Sequence, residues 1–414
     1  MTIGQSHAPP CPADAPAVPA RRRGACPSLA APMTTGDGLL VRLTPEGGAF
    51  TPGELGALAD AASAHGNGLL EVSARGNVQI RGVRPETLDG LRDAVDAAGI
   101  RPREGVPIDT NPLTASPQDD SALTADPAPL AASLRALLAA ETWPRRLGPK
   151  VAVVIDGGGR FSLAGLLADV RLDAAENGWQ VALAGRRSNA VPLGRGNAEE
   201  AVAAAFDTLR LVAAGGPVFR ARDLDAADLA SLSQRLRPAG PLTAATTAPV
   251  GLVPLRCGAA AALALPFGAI DAVALSALAA AGSRALAVHP AAGRRLVFTF
   301  NTAAAAKAFL ATAAESGLVV DAADRRLGIE VCAGKPACAS AFVNTRAIAA
   351  RLAADLRAPL PGAVHISGCA KGCARPAAPI AELVGTADGP EIRATNPAMA
   401  DALRAAAAAG ETAQ

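Results

Sequence analysis

Apolar and polar residues alternate from Gly38 to Leu43, the two-residue period of a half-buried strand. Thr51-Pro52-Gly53-Glu54 then carries a helix start: a capping threonine, proline in the first turn and glutamate three residues on. The helix it opens is predicted to run through Ala64. Gly68–Ser73 and Asn77–Arg81 read as strands around a glycine turn, and Pro85–Ala98 as a second helix. That order of strand, helix, strand, strand, helix is the ferredoxin-like split pattern. A second copy of the plan follows, with a strand at Ala262–Leu265 and a helix at Ile270–Ala281. Strands at Ala285–His289 and Arg295–Thr299 and a helix at Thr302–Ala314 complete it. The same order at similar lengths predicts an internal duplication, although few residues are shared between the copies.

The segment from about Ile100 to Pro217 holds a Pro-rich stretch (Pro107–Pro129), a helix near Leu130–Ala140, and buried strands at Lys150–Ile155 and Trp179–Ala184. After the second copy comes a segment from about Val319 to Thr386, in which Phe342–Leu356 has helical spacing. The expected units are a tail over 1–24, half domains over 25–99 and 250–318, and further segments over 100–235 and 319–410. Pro238–Pro249 reads as the linker between the halves.

Composition narrows the function. A chain of 414 residues is too long for one compact core. Its net charge of +2 and lack of a basic stripe argue against nucleic acid as a partner. No run approaches ~18 apolar residues, so no membrane span is expected. The first 22 residues are rich in Pro and Ala, and no apolar segment follows Arg21-Arg22-Arg23. They read as a tail rather than an export signal, and the expected compartment is cytoplasmic. Tyrosine is absent, which removes the phenol as an acid or base.

The chemistry concentrates in four cysteines, Cys332 and Cys338 spaced C-x5-C, and Cys369 and Cys373 spaced C-x3-C. Two close pairs separated by a helix-length gap are how a chain brings four thiolates onto one iron–sulfur cluster. Small residues surround them, as backbone N–H groups need to approach inorganic sulfide closely. Lys371 would set a cation between two thiolates and favour their ionised form. A structural zinc site prefers tighter knuckles, and disulfides go with an export signal. Cys11, Cys26 and Cys257 are scattered and read as free thiols.

Val331-Cys332-Ala333-Gly334-Lys335-Pro336-Ala337-Cys338 and His365-Ile366-Ser367-Gly368-Cys369-Ala370-Lys371-Gly372-Cys373 resemble the cluster motif of the sirohaem-dependent sulfite and nitrite reductase superfamily. Their form is most similar to its monooxygenase branch, the precorrin-3B synthases. Arg23–Pro27 and Pro32–Arg42 resemble that branch's entry segment, Ala74–Gly82 the superfamily's first tetrapyrrole-contacting strand, and Pro149-Lys150-Val151 its next basic strand. The resemblance implies an α+β fold. A pseudo-two-fold duplication of ferredoxin-like half domains would have each half followed by an α/β sirohaem/Fe–S-type domain, with a tetrapyrrole held between the halves.

It further implies a [4Fe–4S] cluster on Cys332, Cys338, Cys369 and Cys373, a mononuclear non-haem iron, and precorrin-3A as substrate. The implied reaction hydroxylates C20 with dioxygen and closes a γ-lactone on the aerobic route to cobalamin. No Gly-x-Gly-x-x-Gly nucleotide site is present, so NADH electrons would arrive through a separate reductase. The sequence leaves the ligands of the mononuclear iron open, since its four histidines form no two-histidine, one-carboxylate set.

A precorrin carries several carboxylates, which calls for arginine and lysine. By motif match the substrate residues are Arg75, Asn77, Gln79 and Arg81, expected to share one face of a strand, with Lys150 beyond them. His365 reads either as a core histidine or as an outer donor to the cluster, and His7, His65 and His289 as tail or turn residues. The reductases carry Lys-x-Lys where this chain has Lys150-Val151-Ala152. Their Asn-Arg-Asn segment corresponds at best to Asp109-Thr110-Asn111-Pro112-Leu113, and where a precorrin-3B synthase is expected to carry Ser-Pro-Leu-Ala-Gly this chain has Asn111-Pro112-Leu113-Thr114-Ala115. Two alternatives stand beside the monooxygenase: a small sirohaem reductase, and a non-enzymatic iron–sulfur or zinc carrier.

Overall fold

A computed structural model describes residues 27–114, 119–240, 242, 249–376 and 378–411. Cys11, Cys26, the expected tail and most of the Pro238–Pro249 linker lie outside the described residues.

The first half domain holds β1 (Met33–Thr35), β2 (Gly38–Leu43), α1 (Pro52–His65), β3 (Leu69–Val72), β4 (Val78–Val83) and α2 (Leu88–Ala97). Helix α1 starts where the capping box predicts: the Glu54 N–H donates to Thr51 Oγ1 at 3.1 Å, and the Thr51 N–H to the Glu54 carboxylate at 2.7 Å. An α/β domain follows with β5 (Ile108–Thr110), α3 (Ala128–Ala139), β6 (Val153–Asp156), β7 (Ala168–Ala175), β8 (Gly178–Gly185), β9 (Val191–Gly196), α4 (Ala198–Ala214) and α5 (Ala226–Ser233). The second half domain comprises β10 (Gly251–Pro254), β11 (Ala259–Ala264), β12 (Ala269–Asp271), α6 (Ala272–Ala281), β13 (Ala287–Ala291), β14 (Arg295–Phe300) and α7 (Ala303–Glu315). The last domain has β15 (Ile329–Val331), α8 (Thr345–Asp355), β16 (Val364–Ser367), β17 (Ala381–Thr386), β18 (Gly389–Ala394) and α9 (Pro397–Glu411).

The half domains interlock. Strand β12, leading into α6, pairs with β3 of the first copy, Ile270 opposite Leu70. Phe50, leading into α1, exchanges hydrogen bonds of 2.8 and 2.7 Å with Val288 of β13 in the second copy. Helices α1 and α6 pack together, so Leu58 and Ile80 share one buried core with Leu278, Phe298 and Phe309. Neither copy buries its apolar face alone, because each supplies part of the other's cover.

Duplication extends to the α/β domains. Sheet order is β5-β6-β7-β8-β9 in one and β15-β16-β17-β18 in the other, and in both the first three strands are parallel before an antiparallel hairpin. A helix precedes the second strand in each, and another follows the hairpin. Pseudo-equivalent ion pairs confirm the register: Arg75 of the β3–β4 turn meets Asp109 of β5, and Arg294 of the β13–β14 turn meets Glu330 of β15.

Several boundaries differ from expectation. Strand β4 begins only at Val78, because Ser73 and Gly76 close a turn (Gly76 N–H to Ser73 O, 2.9 Å) with Gly76 at φ +84°. Arg75 and Asn77 therefore stand at the hairpin tip, and only Gln79 and Arg81 alternate along the strand. Strand β6 starts at Val153 rather than Lys150, because a turn from Gly148 to Val151 (2.9 Å) holds Lys150 ahead of it. His289 lies within β13, not in a turn. The helix between the cysteine pairs begins at Thr345, capped by Asn344, so Phe342 stays in the loop. Among the described residues, no helix is long and apolar enough to cross a membrane.

Candidate functional site

The cysteine loops leave the carboxyl ends of the parallel strands β15 and β16, where an open α/β sheet presents its loops to ligands. Backbone contacts bind the loops together: the Phe342 N–H donates to Gly368 O at 2.8 Å, and the Lys335 N–H to Val343 O at 2.9 Å. Thr345, at the start of α8, donates its hydroxyl to Cys332 O at 2.7 Å. The positive end of the α8 dipole therefore lies beside a cysteine loop, where negative charge is favoured. Glycine at 368 is required by space, since a Cβ there would stand 2.6 Å from Ala341 Cβ and 3.4 Å from its Cα. Its N–H instead points at Cys332 Sγ, 3.1 Å away.

Cys369 is buried, Cys332 and Cys338 are half-buried, and Cys373 reaches the surface. Burial around the sulfur, together with the neighbouring Cys332, Cys369 and Cys338, pushes the Cys373 thiol upward, and Lys371 opposes them. The other three thiols thus lie near enough to Cys373 to act on it electrostatically. The Lys371 ammonium bonds to Ser340 Oγ at 2.9 Å, so it stands at the exposed rim rather than between two thiolates.

The donor set suits an iron–sulfur cube: four soft thiols on two loops, a backbone N–H aimed at sulfur, and no side-chain bulk at Gly368. One zinc ion would draw its thiolates to about 3.8 Å apart through bonds of about 2.3 Å, whereas each iron of a cube takes its own thiolate. Among the described residues, no three Cys, His, Asp or Glu side chains are gathered as a single ion needs.

His365 lies under the Cys373 loop on β16, 1 % exposed, with its ring edge near Gly372. Nδ1 faces Glu382 Oε1 at 3.1 Å, and Arg375 grips the same carboxylate through bonds of 2.6 and 2.8 Å. Those Arg375 bonds, helped by His365, hold Glu382 down at about 2 against the effect of burial. Burial pushes the His365 imidazole down, Glu382 pulls the other way, and Nε2 has no partner among the described residues.

The face of the first sheet turned away from the core meets these loops. Val41, Leu43, Ile80 and Leu70 point into the core, so Arg42, Gln79, Arg81 and Glu71 point the other way. Arg81 is 3 % exposed and fully engaged. It bonds Asp37 through Nε at 3.0 Å and Nη2 at 2.8 Å, Glu71 at 3.3 Å, and Ala337 O, next to Cys338, at 2.5 Å. Burial would raise the Asp37 carboxyl, but the bonds and charge of Arg81 outweigh it and hold Asp37 below the usual carboxylate range.

The structure spreads the other expected substrate residues. Arg75 bonds Asp109 through Nε at 2.8 Å and Leu167 O at 2.7 Å, and remains 27 % exposed. Asn77 accepts a hydrogen bond from the Thr44 hydroxyl at the hairpin tip, while Gln79 is buried between Arg42 and Glu71 by register. Lys150 is exposed, and its backbone carbonyl accepts from Arg220 Nη2 at 3.0 Å. Sequence reasoning passed over two residues on the same face, Arg42 of β2 and Arg346 of α8. Arg42 was legible as the outward position of an alternating strand, whereas Arg346 arrives from across the fold.

Residues 31–98 match the nitrite/sulfite reductase ferredoxin-like half domain. The chain is 38% identical over 400 residues to a precorrin-3B synthase of Sinorhizobium sp, covering 93% of this chain and 85% of that one. The NirA protein of Mycobacterium tuberculosis has the same fold, with a TM-score of 0.65 at 19% identity over 86% of this chain and 73% of that chain.

Proposed function

Since this chain belongs to the precorrin-3B synthase family, we propose that it hydroxylates precorrin-3A at C20 with dioxygen and closes a γ-lactone. The observation that carries the reading is the union of two surfaces: the four-cysteine compartment and the arginine-bearing face of the first sheet, joined at Arg81 and Ala337. A [4Fe–4S] cluster held by Cys332, Cys338, Cys369 and Cys373 would supply single electrons there. The polypeptide's own part is to bind and orient a polycarboxylate macrocycle against that compartment.

Arg75 and Lys150 keep exposed polar surface for substrate carboxylates, with Asn77 and Gln79 as neutral partners. Arg81 contributes to substrate placement through the sheet face it anchors. Electrons from NADH reach the protein through a separate reductase, and no step is assigned to a mononuclear iron.

The test is anaerobic purification followed by turnover. We expect about four irons and four sulfides per chain, and a lactone product carrying one oxygen atom from labelled dioxygen. Replacing any of the four cysteines by Ala abolishes the chromophore. Stoichiometric zinc without sulfide, or turnover of sulfite or nitrite with a viologen donor, overturns the reading.

A further inference from the structure

Two guanidiniums on the face beside the cysteine compartment lack full partners. The Arg42 side chain makes no hydrogen bond or ion pair among the described residues, and its Nε is buried without an acceptor. Arg346, from the first turn of α8, reaches Glu71 through Nη2, and its Nε is likewise buried and unanswered. Their elements come from opposite halves of the duplication, yet they address one place. Arg42 and Glu71 flank Gln79 on adjacent strands, and neighbouring strands lie about 4.8 Å apart, so Arg42 and Glu71, which Arg346 reaches, are about 10 Å apart at the backbone. Side chains as long as arginine's span that interval.

Charge supports the same reading. Arg42, Arg81 and Arg346 face Asp37 and Glu71, and both carboxylates are already taken by Arg81 and Arg346. One positive charge is left over, and Arg42 carries it. A buried guanidinium nitrogen without an acceptor is costly, which makes an incoming anion its natural complement. Arginine suits a carboxylate in particular, since its fork matches the two oxygens.

We propose that Arg42 and Arg346 together clamp one carboxylate of the tetrapyrrole, fixing the macrocycle between the first half domain and the cysteine domain. This rests on the tetrapyrrole reading above and adds residues to it. A bound carboxylate would add a link between β2 and α8 to the Arg346–Glu71 and Arg81–Ala337 contacts that already join the two halves.

The experiment measures binding of uroporphyrin III, a tetrapyrrole octacarboxylate, to the full anaerobic chain by fluorescence quenching. Arg42→Gln and Arg346→Gln each weaken it by about thirtyfold, with iron and sulfide content unchanged. Arg42→Lys recovers part of the loss by restoring charge without the fork. The double Gln variant binds about as weakly as the worse single one, since both arms hold the same carboxylate. Wild-type affinity in both single variants overturns the clamp, and additive losses in the double variant overturn its shared carboxylate. Failure of the unaltered chain to bind the porphyrin at all instead overturns the tetrapyrrole reading on which the clamp rests.

Discussion

Arg81→Met is the substitution whose consequence the tertiary structure changes most. From the sequence, Arg81 lies far from every cluster cysteine, and its loss should weaken substrate binding while leaving cluster content alone. In the fold its guanidinium is 3 % exposed and joins Asp37, Glu71 and Ala337 O. Methionine fills much of the same volume but leaves Asp37 buried without its cation, and Glu71 with only Arg346. Breaking a buried ion pair from one side costs about 3–5 kcal/mol, because the remaining charge stays desolvated. Ala337 O also loses a charge-assisted bond, worth roughly 1.5–3 kcal/mol, so the loop carrying Cys338 is freed on one side. We expect urea unfolding of the interlocked half domains to shift by about 3–5 kcal/mol, and iron to be lost to a chelator faster than from the parent protein. Adding Asp37→Asn should restore part of the stability without restoring the loop. The reasoning fails if Arg81→Met retains its iron at the parental rate and unfolds at the parental midpoint.

Other expectations follow from single contacts. Gly368→Ala should prevent cluster assembly, read as iron and sulfide per chain, because its Cβ would meet Ala341 Cβ at 2.6 Å; normal loading would show that the loops can part. Phe298→Ala should cost about 3–5 kcal/mol in thermal or urea unfolding, since Phe298 is fully buried and packs on Phe309 with ring centres 4.4 Å apart. Glu382 is held at about 2 from an ordinary 4.5. Its stabilisation is therefore complete above pH 4.5 and disappears as the pH falls toward 2. Glu382→Gln should flatten that part of the curve of stability against pH, and an unchanged acid limb would refute the assignment.

Local signals in this chain were unambiguous wherever neighbours in sequence decide the outcome. The Thr51–Glu54 box starts α1, and the alternation of Gly38–Leu43 makes β2 because one face must be buried. The repeated order of elements exposed the duplication, and the cysteine spacings pointed to the loops that follow β15 and β16, since thiols on short loops are a local pattern. The turn at Ser73–Gly76 was set by a glycine at positive φ and a serine hydrogen bond, which strand propensity alone does not register.

What only the tertiary structure decided is what each charge faces. Arg81 belongs to a network with Asp37, Glu71 and Ala337, the last 256 residues away along the chain. The exchange of β12 and Phe50 between the copies likewise depends on two segments meeting that no local period connects. A guanidinium can be satisfied by any carboxylate or carbonyl that the fold carries to it, so its partner is a property of chain packing. The sequence determined by itself that four closely spaced thiols and alternating arginines were present; the packing of two half domains across one core determined which arginines hold the fold and that the Arg42 side chain has no partner among the described residues.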